Sequence, residues 1–451
     1  MIYISAQPDQ IYFLWQLEIQ LRNFQSLGID KDDIHVVIGY NPATELKESF
    51  KIFIEENKDL ANFFTYPDTR NNPKYESSIR PHLLEKHWVE NSDIRNETIF
   101  YHDSDILFSR IPSIDQELND NINYVSDTRS YLDSVYILSH TDEKVFKKIT
   151  STVGISMQDV TNIDENAGGA QYILKNIDSN FWRKVYSDSE TIYTILSYYN
   201  TEELQKSIIN TGYQQKKIQA WCSDMWSILW NLIYFDREIK ILQELNFSWP
   251  TDDIKEWSNR AILHYAGLHT DKENYFYKRD YVHHTPWYDD NLDSIPRSNC
   301  SYPIIDLIKI RKEELDAKRI ILENIVLSLD EQTEIQKKYI AKYFFPTDIK
   351  IFSKPILVIP QNLIIPPELL QQIDKLIGEN QYTEIEFNHK YRVDLLLSEA
   401  FNKVLDPEML TQNKGKFQLF DSPVVLHIKY PHHKLNDGNV MKLTNTVFEL
   451  S

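Results

Sequence analysis

Cysteine, glycine and positive charge are all scarce in this chain. Its 451 residues include two cysteines, Cys222 and Cys300, which make no disulfide framework and fit a reducing compartment. Lysine and arginine total 48 against 67 aspartates and glutamates, so the formal net charge is −19. Because a surface this acidic repels nucleic-acid phosphates and anionic lipid, we expect neither nucleic acid nor a membrane surface as a partner.

Long apolar runs are missing as well. No run approaches the ~20 residues that a membrane-spanning helix needs. Residues Met1–Gln7 lack the basic region that opens a secretory signal peptide. We therefore expect a cytoplasmic protein with no membrane span. Motifs for dinucleotide binding, for a P-loop and for a hydrolase nucleophile elbow are also absent from the sequence.

Strand-like and helix-like segments alternate from the N-terminus. The strand-like segments are Ile2–Ser5, His35–Tyr40, Phe63–Tyr66 and Thr98–Tyr101, and the helical ones between them are Tyr12–Leu27, Glu45–Glu56 and Ile79–Trp88. Units of this length predict an α/β fold with a Rossmann-like, mixed but mostly parallel sheet and helices on both faces. Further along the chain, Tyr136–Leu138 also has a strand-like pattern.

The length of the chain exceeds what one domain usually needs. We expect a first domain over residues 1–300, a helical linker over 301–348 and a small α/β accessory module over 349–451. The linker prediction depends on charged amphipathic patterns at Ile304–Leu315 and Lys318–Leu329. The accessory module is a candidate for binding an acceptor.

Two aspartates, Asp103 and Asp105, lie one residue apart between apolar runs. In an extended segment such side chains project to the same side. They follow a predicted strand, and open α/β sheets bind ligands beyond the carboxyl ends of their strands. Two carboxylates there can hold a divalent cation, which in turn can hold the diphosphate of a nucleotide-sugar. The alternative is an ordinary turn that contains two aspartates.

Two carboxylates alone bind a divalent ion weakly, so a metal site needs a third ligand. His264 is the best candidate, because it ends a short apolar strand and is followed by Gly267, which suits the close approach of a ligand. The alternative is a histidine that is satisfied within the core or a loop.

The segment Ala167–Gln171 concentrates small residues in a chain with only 10 glycines. Gly168 and Gly169 would let a ligand approach the backbone closely, and Gln171 could face a sugar. The alternative is a tight turn before a helix that Asn166 caps.

A third motif, Trp221–Ser227, places Asp224 in the first turn of a predicted aromatic-rich helix. Asp224 could act as a base on an acceptor hydroxyl or stabilise an oxocarbenium-like centre, with Trp221 and Trp226 as walls of the site. The simpler alternative is that Asp224 helps to cap the helix.

Several cations are candidates for contacting phosphate. Lys74 and Arg80 lie in one segment, and Lys278 and Arg279 follow closely behind His264. The alternative for each is ordinary surface charge.

Together these motifs resemble those of GT-A type nucleotide-sugar glycosyltransferases. The chain is similar to plant hydroxyproline O-arabinosyltransferases, to peptidyl-serine galactosyltransferases and to bacterial relatives of both, over roughly residues 1–285. The segments that carry the resemblance are Gln7-Pro8, Tyr12–Gln16, Phe100–His102, the Asp103–Asp105 motif, Ala167–Gln171, Trp221–Trp226 and His264. The plant enzymes carry signal-anchor segments, and this sequence differs from them in showing none.

The resemblance implies a metal-dependent glycosyltransferase, either a hexosyl- or a pentosyltransferase. The implied donor is a UDP-sugar, the cofactor Mn²⁺ or Mg²⁺, the acceptor a peptide, protein or glycan hydroxyl, and the outcome retention. Asp103, Asp105 and His264 would hold the metal, and Asp224 and Gln171 would be catalytic. The remaining donor contacts would come from Ala6, Gln7, Pro8, Lys74, Arg80, Ser104, Asp127 with Arg129, Gly168, Gly169 and Lys278.

Two alternatives remain open from the sequence. One is a non-catalytic protein that binds a glycan or a peptide with the same fold and aromatic residues. The other is a metal-dependent nucleotide-sugar hydrolase, which would share the metal ligands and differ in lacking an acceptor.

Overall fold

A computed structural model describes residues 1–267, 270–287, 289–317, 319–328, 344, 354–360, 363–365, 367–379, 382–393, 417–420, 424–429 and 439–450. The chain forms two compact units, one of residues 1–282 with 289–308 and one of residues 283–288 with 309–451. The division at residues 300 and 348 expected from the sequence stays a prediction.

The described residues of the first unit form ten strands. They are β1 Ile2–Pro8, β2 Ile34–Tyr40, β3 Asn62–Pro67, β4 Ile99–Tyr101, β5 Ile106–Phe108, β6 Asn123–Asp127, β7 Gly168–Leu174, β8 Ile239–Ile241, β9 Phe247–Ser248 and β10 Ile262–His264. Seven of them form a sheet in the order β3-β2-β1-β4-β7-β6-β8. Only β7 runs antiparallel to its neighbours, β4 and β6. The predicted α/β fold with a mixed, mostly parallel sheet flanked by helices is confirmed.

Helices connect these strands. They are α1 Ile11–Ser26, α2 Glu48–Asn57, α3 Ile79–Glu90, α4 Arg129–Leu132, α5 Ser134–His140, α6 Glu143–Val153, α7 Met157–Asn162, α8 Ser179–Ile209, α9 Ser223–Tyr234, α10 Lys255–Asn259 and α11 Tyr302–Ala317. Side chains of Asp142 and Asp178 cap α6 and α8 by accepting backbone N–H bonds. No helix among the described residues is both long and apolar enough to cross a membrane.

One predicted strand is helical in the structure. Tyr136–Leu138 lies within α5, whose N-terminus is capped by the Asp133 side chain accepting from the Tyr136 backbone N–H. A short apolar run does not distinguish strand from helix by its periodicity, and the cap decides the outcome here.

A small second sheet brings distant parts of the first unit together. It has the order β5-β10-β9, and β5 pairs antiparallel with β10 so that Ile106 lies opposite His264. Since β5 follows directly after the Asp103–Asp105 segment, this pairing places His264 beside the two aspartates. The long-range contact depends on backbone pairing, which the sequence pattern does not specify.

The second unit is a small sheet module with a helix, as expected. Its strands are β11 Val326–Leu327, β12 Ile356–Val358, β13 Leu363–Ile364, β14 Tyr382–Val393, β15 Phe417–Phe420, β16 Val424–Lys429 and β17 Asn439–Leu450, and its helix is α12 Pro367–Glu379. The sheet order is β11-β12-β16-β14-β17-β13, and β15 pairs with β14.

The helical linker is only partly helical. The pattern at Ile304–Leu315 lies in α11, but residues 319–328 contain β11 and no helix. Here Asp374 of α12 accepts the backbone N–H groups of Glu323, Asn324 and Ile325, which stabilises a non-helical path. The rest of the predicted linker, apart from Phe344, lies outside the described residues.

Candidate metal centre

The two aspartates lie in a tight turn between β4 and β5. Gln20 of α1 donates a hydrogen bond to the backbone carbonyl of Asp103 at 3.0 Å. Gln16 of the same helix accepts a hydrogen bond from the Ser104 hydroxyl at 2.9 Å. Two buried glutamines one helical turn apart therefore fix the turn from behind. Ser104 faces α1, which leaves the flanking carboxylates free to point to the other side.

Three potential ligands converge on this side. Ligand atoms of Asp103, Asp105 and His264 all lie within 4.8 Å of one another. Nε2 of His264 is 3.8 Å from Asp103 Oδ2 and 3.3 Å from Asp105 Oδ1. Asp105 and His264 are buried, and Asp103 is partly exposed. The arrangement has one side toward the solvent, as a ligand site requires.

The imidazole of His264 is held by its neighbours. The ring stacks on Trp249 with an interplanar angle of 13°, and Phe247 meets it edge-on. On its far side, Nδ1 lies 3.3 Å from Nε2 of Gln171, on β7. These contacts direct Nε2 at the two carboxylates.

Two partly buried cations bind the same carboxylates. Arg80 of α3 forms an ion pair with Asp103, and Lys278 forms one with Asp105. Burial alone would raise the pKa of the Asp105 carboxyl, but Lys278 and His264 outweigh burial and hold it well below its usual range. Asp105 is therefore a carboxylate, the form that binds a metal.

Arg80 joins the aspartate turn to α9. Its second guanidinium nitrogen pairs with Asp224 Oδ2, while Tyr75 donates its hydroxyl to Asp224 Oδ1 at 2.6 Å. Both oxygens of Asp224 therefore accept hydrogen bonds from the protein. The geometry links Asp224 to the cluster through one guanidinium group.

The donor set suits a hard divalent ion. Two carboxylates and one imidazole are ligands that Mn²⁺ and Mg²⁺ accept, and no thiol lies in the cluster. Both carboxylates already pair with cations. The residues present therefore fit the metal that the resemblance implies.

Gly168 and Gly169 do not leave the expected space for a ligand beside the backbone. A Cβ on Gly168 would lie 2.1 Å from the Ser126 carbonyl oxygen, and one on Gly169 would lie 2.5 Å from the Tyr172 hydroxyl. The space beside both glycines is filled by the protein itself. They allow β6 and β7 to pack closely. The alternative of a tight turn before a helix is also wrong, because both residues belong to β7.

The N-terminal donor segment belongs to β1, which extends beyond the predicted strand Ile2–Ser5. Ala6 and Gln7 are buried within β1, and Gln7 donates to the Val37 carbonyl at 2.9 Å. Pro8 ends β1. The register with β2 continues through Pro8, which explains why the strand is longer than the apolar pattern indicated. Contact of this segment with a base stays a prediction.

The two tryptophans have different environments. Trp226 is fully buried and donates its indole N–H to the Leu132 carbonyl, so it belongs to the core rather than to a wall of the site. Trp221 is 56% exposed and contacts Tyr131. Trp221 alone remains available to a ligand.

Two other predicted donor contacts have partners within the protein. Asp127 forms an ion pair with Arg129 at 2.7 Å. Lys74 is exposed, and its backbone N–H donates to Glu190 at 2.8 Å. Neither residue belongs to the Asp103–Asp105–His264 cluster.

Sequence reasoning missed the residues that support the cluster. Gln16 and Gln20 lie on the buried side of α1, and polar residues four apart on an apolar helix face were the available signal. Tyr75 had no signal of its own, because its contact with Asp224 joins positions 149 residues apart.

Comparisons with known proteins find similar structures only. No family description matches the chain, and no curated protein does. The bifunctional glycosyltransferase WbbM, in its apo structure, has a TM-score of 0.35 and 11% identity over 70% of this chain and 50% of that one. This chain thus spans about half the length of WbbM.

Two further structures are similar to parts of the chain. Mouse xyloside xylosyltransferase 1, apo form, has a TM-score of 0.29 and 8% identity over 58% of this chain and 96% of its own. The mannosyltransferase PcManGT from Pyrobaculum calidifontis, in complex with GDP-Man and Mn²⁺, has a TM-score of 0.19 and 12% identity over 52% of this chain and 73% of its own. Because these TM-scores and identities are low, the similarities do not show the activity of this chain. The activity has to be argued from the site.

Proposed function

We propose that the chain is a metal-dependent glycosyltransferase that uses a nucleotide diphosphate sugar, with a UDP-sugar as the first candidate. The observation that carries the proposal is the convergence of Asp103, Asp105 and His264 beside two partly buried cations. An acidic pair with an imidazole suits a divalent ion, and nearby cations suit a diphosphate. Mn²⁺ or Mg²⁺ would supply positive charge against the leaving diphosphate.

Arg80 and Lys278 would contact the donor's phosphates. Each now pairs with a carboxylate of the cluster. Asp103 and Asp105 would hold the divalent ion, and the guanidinium and ammonium groups would then share their hydrogen bonds between these carboxylates and phosphate oxygens. Both groups are positioned before the donor binds, which lowers the cost of binding.

Of the two roles considered for Asp224, charge stabilisation fits better than general base. Both of its oxygens are occupied, by Tyr75 and Arg80. In transfer with retention, the bond from the anomeric carbon to the diphosphate oxygen breaks and a bond to the acceptor oxygen forms. The acceptor's proton passes to the departing diphosphate, while Asp224 supports Arg80 and the developing positive charge.

The acceptor is proposed to be a hydroxyl of a peptide, protein or glycan. Trp221 lies just before α9, the helix that carries Asp224, and it is exposed, so it offers an aromatic face to a sugar ring or an apolar side chain. The second unit is the proposed accessory module for holding that acceptor.

A donor screen tests the function. The full chain is incubated with UDP- and GDP-sugars, with Mn²⁺ or with chelator, and the released nucleotide is measured. We expect metal-dependent release from one donor and a loss of at least ~100-fold in Asp105→Asn. Asp120→Asn, which changes an aspartate paired with Lys175 outside the cluster, is the matched control.

The same assay separates the alternatives. A transferase releases more nucleotide when peptide or glycan acceptors are added, whereas a hydrolase releases the same amount without them. No release from any donor, together with unchanged binding of glycans in Asp105→Asn, would favour the non-catalytic binding protein.

A further inference from the structure

Gln171 has a buried amide that is only half satisfied. The side chain has no exposure, and its Nε2 lies 3.3 Å from Nδ1 of His264. Its Oε1 is buried and has no hydrogen-bond partner among the described residues. An unpaired buried carbonyl oxygen costs about 1–3 kcal/mol, so the arrangement calls for an explanation.

The amide can meet Nδ1 of His264 in two ways. With Nε2 of Gln171 toward the ring, Nδ1 accepts and the ring proton is on Nε2, facing Asp105 at 3.3 Å. Half a turn of the amide brings Oε1 toward the ring instead. Nδ1 then carries the proton and donates it, and the lone pair of Nε2 faces the carboxylates. Only this second arrangement leaves Nε2 free to bind a metal.

The backbone around Gln171 is held in an unusual conformation. Ala170 has φ of +75°, a left-handed value that a non-glycine residue adopts at a cost of about 1–3 kcal/mol. The β6–β7 register shifts here, between Val125 and Asp127. Such bulges redirect the side chain that follows them.

Ser126 secures this bulge. Its hydroxyl donates to the Gly169 carbonyl and accepts the backbone N–H of Gln171 at 3.3 Å. The strained residue and its support thus lie immediately before the side chain that meets His264.

We propose that Gln171 is a positioning residue whose amide turns over when a divalent ion binds, so that it selects the metal-binding tautomer of His264. The proposal rests on the metal site of the proposed function. Glutamine suits this task because its side chain both donates and accepts. A glutamate can only accept, and a methionine of similar length can do neither.

Nitrogen NMR reads the tautomer directly, without a variant. ¹⁵N-histidine-labelled full chain is measured at pH 7.5, alone and with Mg²⁺, and the His264 signals are assigned from their loss in His264→Gln. We expect the Nε2–H form without metal and the Nδ1–H form with Mg²⁺. The same tautomer in both states would overturn the proposal.

Calorimetric titration with Mn²⁺ alone provides the second readout. We expect Gln171→Met to bind Mn²⁺ 10–100-fold more weakly. Gln171→Glu, which still accepts from Nδ1, should remain within about threefold of wild type and show the Nδ1–H tautomer even without metal. Equal affinity of folded Gln171→Met and wild type overturns the positioning role alone. A wild-type chain that binds neither ion overturns the proposed function as well.

Discussion

Arg80 is the residue on which the charge balance of the centre depends. Its guanidinium group joins Asp103 to Asp224, and Lys278 neutralises Asp105. Three carboxylates thus face two fixed cations, so the net charge of these groups is negative. A bound divalent ion would make that net charge positive. The state of the site therefore depends on which of these charges is compensated.

Replacing Arg80 tests this coupling. We expect Arg80→Gln to lower the free energy of unfolding by about 2–4 kcal/mol, because Asp224 is left buried without its cation. Asp224→Asn in the same chain should recover at least about 1 kcal/mol of that loss. Urea unfolding of both single variants and the double variant measures the coupling. Strictly additive losses would contradict the coupling. The control is Arg183→Gln, which removes an exposed arginine that pairs with the partly buried Glu85.

The residues of the site are brought together by contacts between strands and helices, and no single side chain is enough to position them. The pairing of β5 with β10 brings His264 to the aspartate turn, and α1 holds the turn through Gln16 and Gln20. The close approach of β6 and β7 requires Gly168. Each of these contacts joins segments far apart in sequence.

Gly168→Ala tests whether this glycine serves packing or ligand binding. Because the new Cβ would lie 2.1 Å from the Ser126 oxygen, we expect a loss of about 3 kcal/mol in stability, with or without donor. Gly28→Ala, where nothing lies within 4 Å and only the positive φ opposes the change, should cost about 1 kcal/mol. Thermal melting compares the two. A stable Gly168→Ala protein with weakened donor binding would instead support the ligand cradle.

The contact between β2 and α3 predicts a loss of stability in acid. Nδ1 of His35 lies 3.0 Å from Nε2 of His87, and burial lowers the pKa of His35 to about 4 and of His87 to about 3. The unfolded chain takes up protons below about pH 6.5, whereas the folded chain does not. The free energy of unfolding therefore falls as pH drops from 6.5 towards 4, by up to ~1.4 kcal/mol per pH unit for each histidine.

Urea unfolding between pH 4 and 7 measures this slope. In His87→Gln the slope should become shallower, while His140→Gln, on the surface of α5, should leave it unchanged. If wild type, His87→Gln and His140→Gln all had the same slope, titratable groups other than this histidine pair would govern the loss of stability in acid.

The sequence specified the elements better than it specified their contacts. Strand and helix periodicity predicted β2, α1 and α3 because local burial patterns repeat along the chain. The aspartate pair and His264 were recognisable from residue type and position after apolar strands. The bulge at Ala170, the bridge through Arg80 and the partner of Tyr75 were not, because they arise from pairing across 40 to 150 residues.

At the scale of the whole molecule, the first unit holds the site and the second has its own core. Ile373 of α12, Ile385 and Phe387 of β14 and Leu426 of β16 are fully buried in that second core. The overall charge of −19 makes long-range attraction of an anionic donor weak, so local cations and the metal must supply it.

Binding of UDP should therefore require metal. We expect Mn²⁺ with UDP to raise the melting temperature of the full chain, and UDP alone to raise it little. A ligand at 100 times its dissociation constant adds about 2.7 kcal/mol to stability. Differential scanning fluorimetry measures the shift, which Lys278→Gln should reduce. An equal shift with and without Mn²⁺ would mean that the nucleotide binds elsewhere.

The most direct test of the account is the number of Mn²⁺ ions bound per chain, measured by electron paramagnetic resonance of free Mn²⁺ during titration. We expect one ion in wild type and in Asp120→Asn, and a large loss of affinity in Asp103→Asn, Asp105→Asn and His264→Gln. If wild type bound no ion, or if folded Asp105→Asn bound it as tightly as wild type, the proposed centre would be contradicted.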